Sequence, residues 1–328
     1  MKRLQRLRYS KNLRDLTAET EFTTSQLVQP LFVVEGLTRD EEIKGLRGTS
    51  RLTTESILKT VASDLEKGVR HFILFPVPNK KALKNINHDF ATGVISNLKK
   101  EFGSALTLWV DTCLCSSTTH GHCCVFTDQK TTDQKTEQDL VTTLSEIGTM
   151  ALRYAQAGAD GISPSDMNDG RVDAIRKVLD KDTTNLNHVP VMSYSTKFSS
   201  SFYGPFRNAA DSAPQFGDRS QYQIDVRNRT DAIQSSVRCA EEGADLLMVK
   251  PGMTAIDLIR PIQEKTGLSV GAYQVSGEYA SLALLEKEGL IDFNRGLLES
   301  WHVFKRAGAQ YIITYGARYA KELGVPTP

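Results

Sequence analysis

The sequence predicts an α/β fold, a (β/α)8 TIM barrel with a short N-terminal arm, and three observations predict it. Eight short runs rich in β-branched and aromatic residues recur along the chain, with helical periodicity between them. One joint repeats four times, as EKGVRHFILF, QAGADGISP, EEGADLLMV and RAGAQYIIT. No Gly-rich dinucleotide fingerprint follows the first run, which removes the commonest reason to prefer a doubly wound open sheet.

The arm comes first. The segment MKRLQRLRYSKNLR carries six basic groups and no acid, and Leu4, Leu7 and Leu13 give it a partial helical stripe. A nucleic-acid tail would need aromatic interleaving, and a transit peptide would not meet Asp15, Glu19 and Glu21 at once. A solvated arm remains open, but an arm that packs on another subunit is the preferred reading. The arm is set at residues 1–24 and the barrel at 25–328.

The expected strands are Leu27–Val34, His71–Val77, Leu106–Cys113, Asp160–Ser165, Val189–Tyr194, Asp245–Lys250, Leu268–Val275 and Gln310–Tyr315. Helical patterns run over Thr54–Lys67, Glu137–Ala157, Thr230–Glu242 and Asn294–Ala307, and alternation of this kind makes a parallel sheet. In the repeated joint, Gly68, Gly158, Gly243 and Gly308 stand where a helix needs a left-handed C-terminal residue. The segments Ser116–Gln138 and Ser195–Asn228 are longer than a connection requires. Both follow C-terminal strand ends, the catalytic face of such barrels.

Composition excludes several classes. Lys+Arg number 40 against 39 Asp+Glu, so no global charge grips nucleic acid. The longest apolar runs, Phe72–Val77 and Leu246–Val249, are too short to span a bilayer, and no hydrophobic segment follows the basic N-terminus as in a secretory signal. Of 5 cysteines, four fall within Cys113–Cys124, which is no disulfide scaffold.

That cluster, DTCLCSSTTHGHCC, is the first place where chemistry concentrates. Cys113 and Cys115 are two apart and would point the same way on an extended strand end. A polar turn ending in Gly121 can bring Cys123 back to them. Three thiolates with a fourth position open are the pattern of a catalytic zinc, and inert buried cysteines are the plain alternative. Cys124 reads as a spare thiol and Cys239 as core. Lys197 and Lys250 follow apolar runs at strand ends, where a lysine either snorkels to solvent or is held in a pocket. Two ammonium groups kept close in a dry mouth depress each other's pKa, and a neutral lysine can form a Schiff base. Between Ser199 and Gln223, Arg207 and Arg219 lie on an aromatic loop that could clamp a carboxylate or merely cover the surface. Ser165 and Asp166 follow a strand, with Asp169 as a helix N-terminal residue. Ser276 stands in a turn, and Tyr315 closes the last strand.

The motifs DTCLC–HGHC, SPSDMNDGRV, MSYSTKFSSSFYGPFR, FGDRSQYQ, MVKPGM and AYQVSGEY, in this order, closely resemble the porphobilinogen synthase (5-aminolevulinate dehydratase) family, over essentially the full chain. The resemblance implies condensation of two 5-aminolevulinate molecules into porphobilinogen with loss of two waters, an early step of tetrapyrrole synthesis. It also implies a barrel whose arm embraces a neighbour, commonly in a homo-octamer. It casts Lys250 as the principal Schiff-base lysine, Lys197 as the second, and Asp111 in proton transfer. Cys113, Cys115 and Cys123 become the ligands of Zn2+. Arg207, Arg219 and Gln223 resemble the clamp for one substrate carboxylate, and Ser276 and Tyr315 the pair for the other. Ser165, Asp166, Tyr203 and Phe206 would line the pocket. Members activated by an allosteric Mg2+ carry a glutamate where this chain has Ser235, which puts that ion in doubt. Cys124 replaces a frequent glycine. A metal-free, class I aldolase-like barrel with one Schiff-base lysine is the alternative, and it leaves three cysteines and the second lysine unexplained. Zinc-binding thiols must stay reduced, so the cytoplasm is the expected compartment.

Overall fold

The computed structural model describes residues 3–127 and 137–328. Eight parallel strands follow one another around a nearly closed barrel: β1 (Leu27–Val34), β2 (His71–Val77), β3 (Thr107–Thr112), β4 (Gly161–Pro164), β5 (Met192–Lys197), β6 (Leu246–Lys250), β7 (Ser269–Tyr273) and β8 (Ile312–Ile313). Strand β1 pairs with β2 from Val28↔His71 to Val34↔Val77, and with β8 at Leu27↔Ile312. The seam between β4 and β5 is held by a parallel bridge at Ile162↔Val191. The short pair Glu41–Glu42 and Ser50–Leu52 extends the sheet beside the end of β1.

The helices are α1 (Lys11–Leu16), α2 (Ser56–Glu66), α3 (Asp89–Phe102), α4 (Leu140–Gln156), α5 (Arg171–Lys181), α6 (Gly204–Ala209), α7 (Arg229–Glu241), α8 (Ile259–Thr266), α9 (Ser276–Lys287) and α10 (Phe293–Arg306). Several bury an apolar stripe against the barrel. Helix α10, for example, buries Phe293, Leu297, Trp301 and Phe304. Helices α7 and α9 also bury polar residues, among them Ser235, Ser236 and Glu278. The repeated joints behave alike. Gly68, Gly158, Gly243 and Gly308 have φ of 90°, 102°, 97° and 105°. After each, the next amide reaches back to close the helix, as in Val69 N to Asp64 O and Ala159 N to Tyr154 O. Residues 3–16 form a 3-10 turn (Leu4–Arg8) and α1, and none of them is buried. Tyr9 is 90% and Leu16 80% exposed. No helix among the described residues is long and apolar enough to cross a membrane.

Strand β5 differs from its expected limits. A turn over Leu186–Val189, closed by Val189 N to Leu186 O, precedes it, and Pro190 has no backbone donor for the ladder. The strand then continues through Ser195 and Thr196 to Lys197. Those hydroxyl residues looked like loop, yet both are fully buried. Thr196 Oγ1 bonds to Ala232 O at 2.8 Å, and Ser195 Oγ accepts from Ser236 at 2.8 Å, so α7 satisfies them. Asp169 also differs. The residue before α5 is Gly170, at φ 80°, and Asp169 pairs with Arg238 instead.

Gly161 on β4 faces Trp109 on β3 in register, and a Cβ at Gly161 would overlap the indole ring. Gly161→Ala is therefore expected to destabilise the protein by about 1–3 kcal/mol through overpacking. Urea denaturation would measure it, and an unchanged midpoint would mean the ring moves aside freely.

Candidate active site

Strand register brings the two lysines together. Lys197 and Lys250 are direct partners at the C-terminal ends of β5 and β6, after a register shift between Ser193 and Thr196. They are 5% and 3% exposed. Lys197 Nζ donates to Ser165 O at 2.5 Å. Lys250 Nζ lies among aromatic rings, 4.1 Å from the centroid of Tyr273, 4.7 Å from Tyr194, 4.8 Å from Phe206 and 5.5 Å from Tyr203. No ion pair within 4.0 Å engages either lysine among the described residues. Burial holds the Lys250 ammonium well below its ordinary pKa, and the charge on Lys197 pushes the same way. Asp111 and the cysteine sulfurs oppose the shift without reversing it.

Asp111, at the end of β3, keeps a half-buried surface but is enclosed by protein, and burial dominates its behaviour. Desolvation, then the neighbouring Cys115, pushes its carboxyl up to about 7 against the pull of Ser165, Lys197 and Lys250. Its Oδ1 is buried without a partner.

The three cysteines converge. The sulfurs of Cys113, Cys115 and Cys123 all lie within 4.8 Å of one another, and Cys113 Sγ is 3.3 Å from Cys115 Sγ. The route differs from the expected extended strand end, because Leu114–Ser116 form a 3-10 turn after the extended Cys113. Sulfurs about 2.3 Å from one tetrahedral ion would stand roughly 3.8 Å apart, so a buried set this close fits zinc. Hydrogen bonds from Cys113 and Cys123 hold the Cys115 thiol well below its ordinary pKa, with Arg219 and Lys197 contributing positive charge. His122 Nδ1 meets Tyr222 Oη at 3.1 Å and Nε2 meets Phe216 O at 2.9 Å, so both ring nitrogens are engaged elsewhere. Burial, then His122, pushes His120 down to about 4. All five cysteines are free thiols. Cys124 is buried, with its thiol pushed up by burial, and Cys239 is core.

The aromatic loop turns inward. Arg219 is 3% exposed, and its Nη2 donates to Gly121 O at 2.9 Å and to Ser212 O. Burial, then the charge of Arg219, lowers the half-buried Arg207. The Nε atoms of both arginines and both amide atoms of Gln223 are buried without partners. At the next strand end, Ser276 Oγ accepts from Phe206 N at 3.1 Å, and Tyr315 Oη meets Tyr273 Oη at 3.3 Å. Tyr203 Oη donates to Phe198 O at 2.8 Å and to Lys250 O at 3.2 Å, tying the loop to the lysine strand. Asp166 is fully buried, its Oδ1 accepting from Asn168, and Asn168 Nδ2 donates to Cys123 O at 2.9 Å.

Sequence reasoning missed Tyr194, Tyr222, Asn168, Arg171 and Glu278. A tyrosine inside an apolar strand gives no sign of facing the mouth. Glu278, three residues past the strand-end Val275, offered a helix-capping signal. It accepts from Val275 N at 2.9 Å and Met253 N at 2.8 Å, joining the loop after Lys250 to the start of α9.

A family profile described as Delta-aminolevulinic acid dehydratase matches residues 1–323. The Helicobacter pylori protein of that name is 38% identical over 327 residues, covering 98% of each chain. The Bacillus subtilis one is 38% identical over 322 residues, covering 97% of this chain and 96% of that one. The solved structure from Toxoplasma gondii, in complex with the reaction product porphobilinogen, superposes with a TM-score of 0.91 at 37% identity, covering 98% of this chain and 91% of that one. A Xanthomonas albilineans dihydropteroate synthase, at TM-score 0.50 and 14% identity, shares the fold alone.

Burial pushes the Glu278 carboxyl up to about 7 against its backbone hydrogen bonds. A carboxyl raised on folding adds stability below its unfolded pKa, and that addition is lost as pH rises through the folded value. Glu278→Gln cannot ionise. Its stability relative to the parent is expected to improve by on the order of 2–3 kcal/mol between about pH 4.5 and 7.5. Denaturation at both pH values measures this, and a constant difference would show that Glu278 titrates as an ordinary carboxyl.

Proposed function

The chain belongs to the delta-aminolevulinic acid dehydratase family, the hydro-lyases also called porphobilinogen synthases, and on that premise we propose how its own residues condense two 5-aminolevulinate molecules into porphobilinogen with loss of two waters. The observation that carries the reading is the register pair Lys197 and Lys250, buried beside three convergent cysteines.

Lys250, neutral in its aromatic surround, attacks the keto carbon of one substrate. The carbinolamine expels water and leaves a Schiff base. The iminium acidifies the adjacent carbon, or accepts the amine of the other molecule. Lys197 holds the keto carbon of the second substrate in the same way. Asp111, with its pKa near 7, accepts and returns protons beside both lysines. Cys113, Cys115 and Cys123 would hold zinc, which supplies Lewis acidity toward the second substrate and its amine. Arg207, Arg219 and Gln223 bind one carboxylate, and their unpartnered buried atoms support this. Ser276 and Tyr315 bind the other, after Ser276 releases Phe206 N. Ser165, Asp166, Tyr203 and Phe206 shape the pocket wall.

The N-terminal arm packs on a neighbour in a homo-oligomer, an octamer by family likeness, and its exposed Leu4, Leu7, Tyr9 and Leu16 support that reading. Ser235 spends its hydroxyl on Ser195 O at 2.7 Å, and Arg238 one turn on pairs with Asp169 and Glu242, so no magnesium activation is expected. Five reduced thiols favour the cytoplasm.

The protein is expected to convert 5-aminolevulinate to a pyrrole that reacts with Ehrlich's reagent, and to stop when a chelator removes the metal. No product under reducing, zinc-replete conditions would sink the reading. Borohydride reduction with substrate should trap Lys250, and Lys250→Met should lose at least about 10³-fold in rate. Trapping at a lysine other than Lys197 or Lys250 would overturn the role assignment. Cys115→Ala should lose metal and most activity together, as read by metal analysis beside the assay.

A further inference from the structure

The turn after β4 has a backbone that a side chain rarely permits. Met167 has φ 74°, in the left-handed region, and is buried. Local bonds hold it there. Asp166 Oδ1 accepts from Asn168 N at 2.8 Å and from Asn168 Nδ2 at 2.6 Å. Arg171 is fully buried beneath the turn. Its Nη1 donates to Asn168 O at 3.0 Å, its Nη2 to Tyr194 O at 3.1 Å, and its Nε lies 4.0 Å from Asp166 Oδ2. The guanidinium therefore staples the turn to β5, the strand that carries Lys197.

The other side of the turn faces the chemistry. Ser165 O takes the Lys197 ammonium, and Asn168 Nδ2 donates to Cys123 O at 2.9 Å. The Asn168 amide is fixed in orientation, because flipping it would set its oxygen against two acceptors, Asp166 Oδ1 and Cys123 O. One strained turn thus touches both a lysine and the peptide of a cysteine ligand.

We propose that Asn168 and Arg171 are positioning residues, and that the left-handed turn they lock sets Cys123 and Lys197 in fixed relation to each other. The inference rests on the reading of the three cysteines as zinc ligands. Neither Asn168 nor Arg171 is among the residues assigned above to substrate or metal.

Asn168→Leu keeps the branched heavy-atom shape, with somewhat larger methyl groups in place of the amide oxygen and nitrogen, and removes both amide donors. It is expected to lower zinc affinity by about 10-fold, as loss of an outer partner of a ligand does. Competition with a chromophoric chelator reads this, with circular dichroism unchanged. Borohydride trapping at Lys197 should fall relative to Lys250. Arg171→Gln should weaken zinc similarly, and adding Met167→Gly should recover much of that loss, because glycine adopts positive φ without a Cβ penalty. If Arg171 served packing alone, Met167→Gly would only worsen the variant. Parent-like zinc affinity in Asn168→Leu overturns the proposal, even if Arg171→Gln does not fold. A parent protein that takes up no zinc would instead overturn the reading of the cysteines, and unchanged Lys197 trapping in Asn168→Leu would then overturn the turn's role.

Discussion

Two lysines side by side in a parallel sheet, both withdrawn from water, set the terms for the rest of the barrel mouth. Burying one ammonium costs several kcal/mol even after relaxation. Contacts with aromatic faces return only about 0.5–2 kcal/mol each. Lys250 has rings around it and no carboxylate partner at ion-pair distance, so the cheaper state is the neutral amine. Lys197 spends its proton-bearing nitrogen on Ser165 O, and its charge beside Lys250 pushes in the same direction. A nucleophilic amine is therefore a consequence of where the strands end.

That placement depends on details of β5 and its neighbours. The register shift between Ser193 and Thr196 lets Lys197 and Lys250 finish level. The hydroxyls that would weaken an apolar strand are satisfied by α7 and by Met248 O. On the far side, Asn168 of the Met167 turn donates to Cys123 O, and Ser165 O of the same turn accepts from Lys197, so a short chain of hydrogen bonds links the cysteine segment to the lysine strand. Arg219 and Lys197 add to the hydrogen bonds from Cys113 and Cys123 that hold the Cys115 thiol well below its ordinary pKa.

The architecture was legible because it repeats. Four Gly joints and eight apolar runs each carry the same local instruction, and β1 and β2 have the limits expected of them. The lysines and cysteines were legible because their residue types are chemically specific and their motifs are familiar. The limits of β5 were not, because Ser195 and Thr196 look like loop until α7 supplies their partners, and the bonds to Ala232 and Ser236 reach 36 and 41 residues along the chain. Asn168 and Arg171 were hidden for a related reason. Their roles depend on where Cys123 O and Tyr194 O arrive, and neither carbonyl has a side-chain signature. Tyr194 and Tyr273 are ordinary strand aromatics until the barrel closes and turns both rings toward Lys250.

The mouth also gathers polar atoms that the protein leaves unpaired. Arg207 Nε, Arg219 Nε, both ends of the Gln223 amide and Asp111 Oδ1 are all buried without partners. Buried donors left unmade are unfavourable by about 1–3 kcal/mol each. These atoms lie on the loop and on the strand end to which the proposed mechanism assigns a substrate carboxylate and a reacting proton. The binding of a zwitterionic keto acid would complete those hydrogen bonds while its keto carbon meets a neutral lysine. Binding energy from the carboxylate end would then offset the ordering of the reacting end, which is how remote contacts lower a barrier they do not touch. The same atoms that make the free protein less stable thus favour the occupied one.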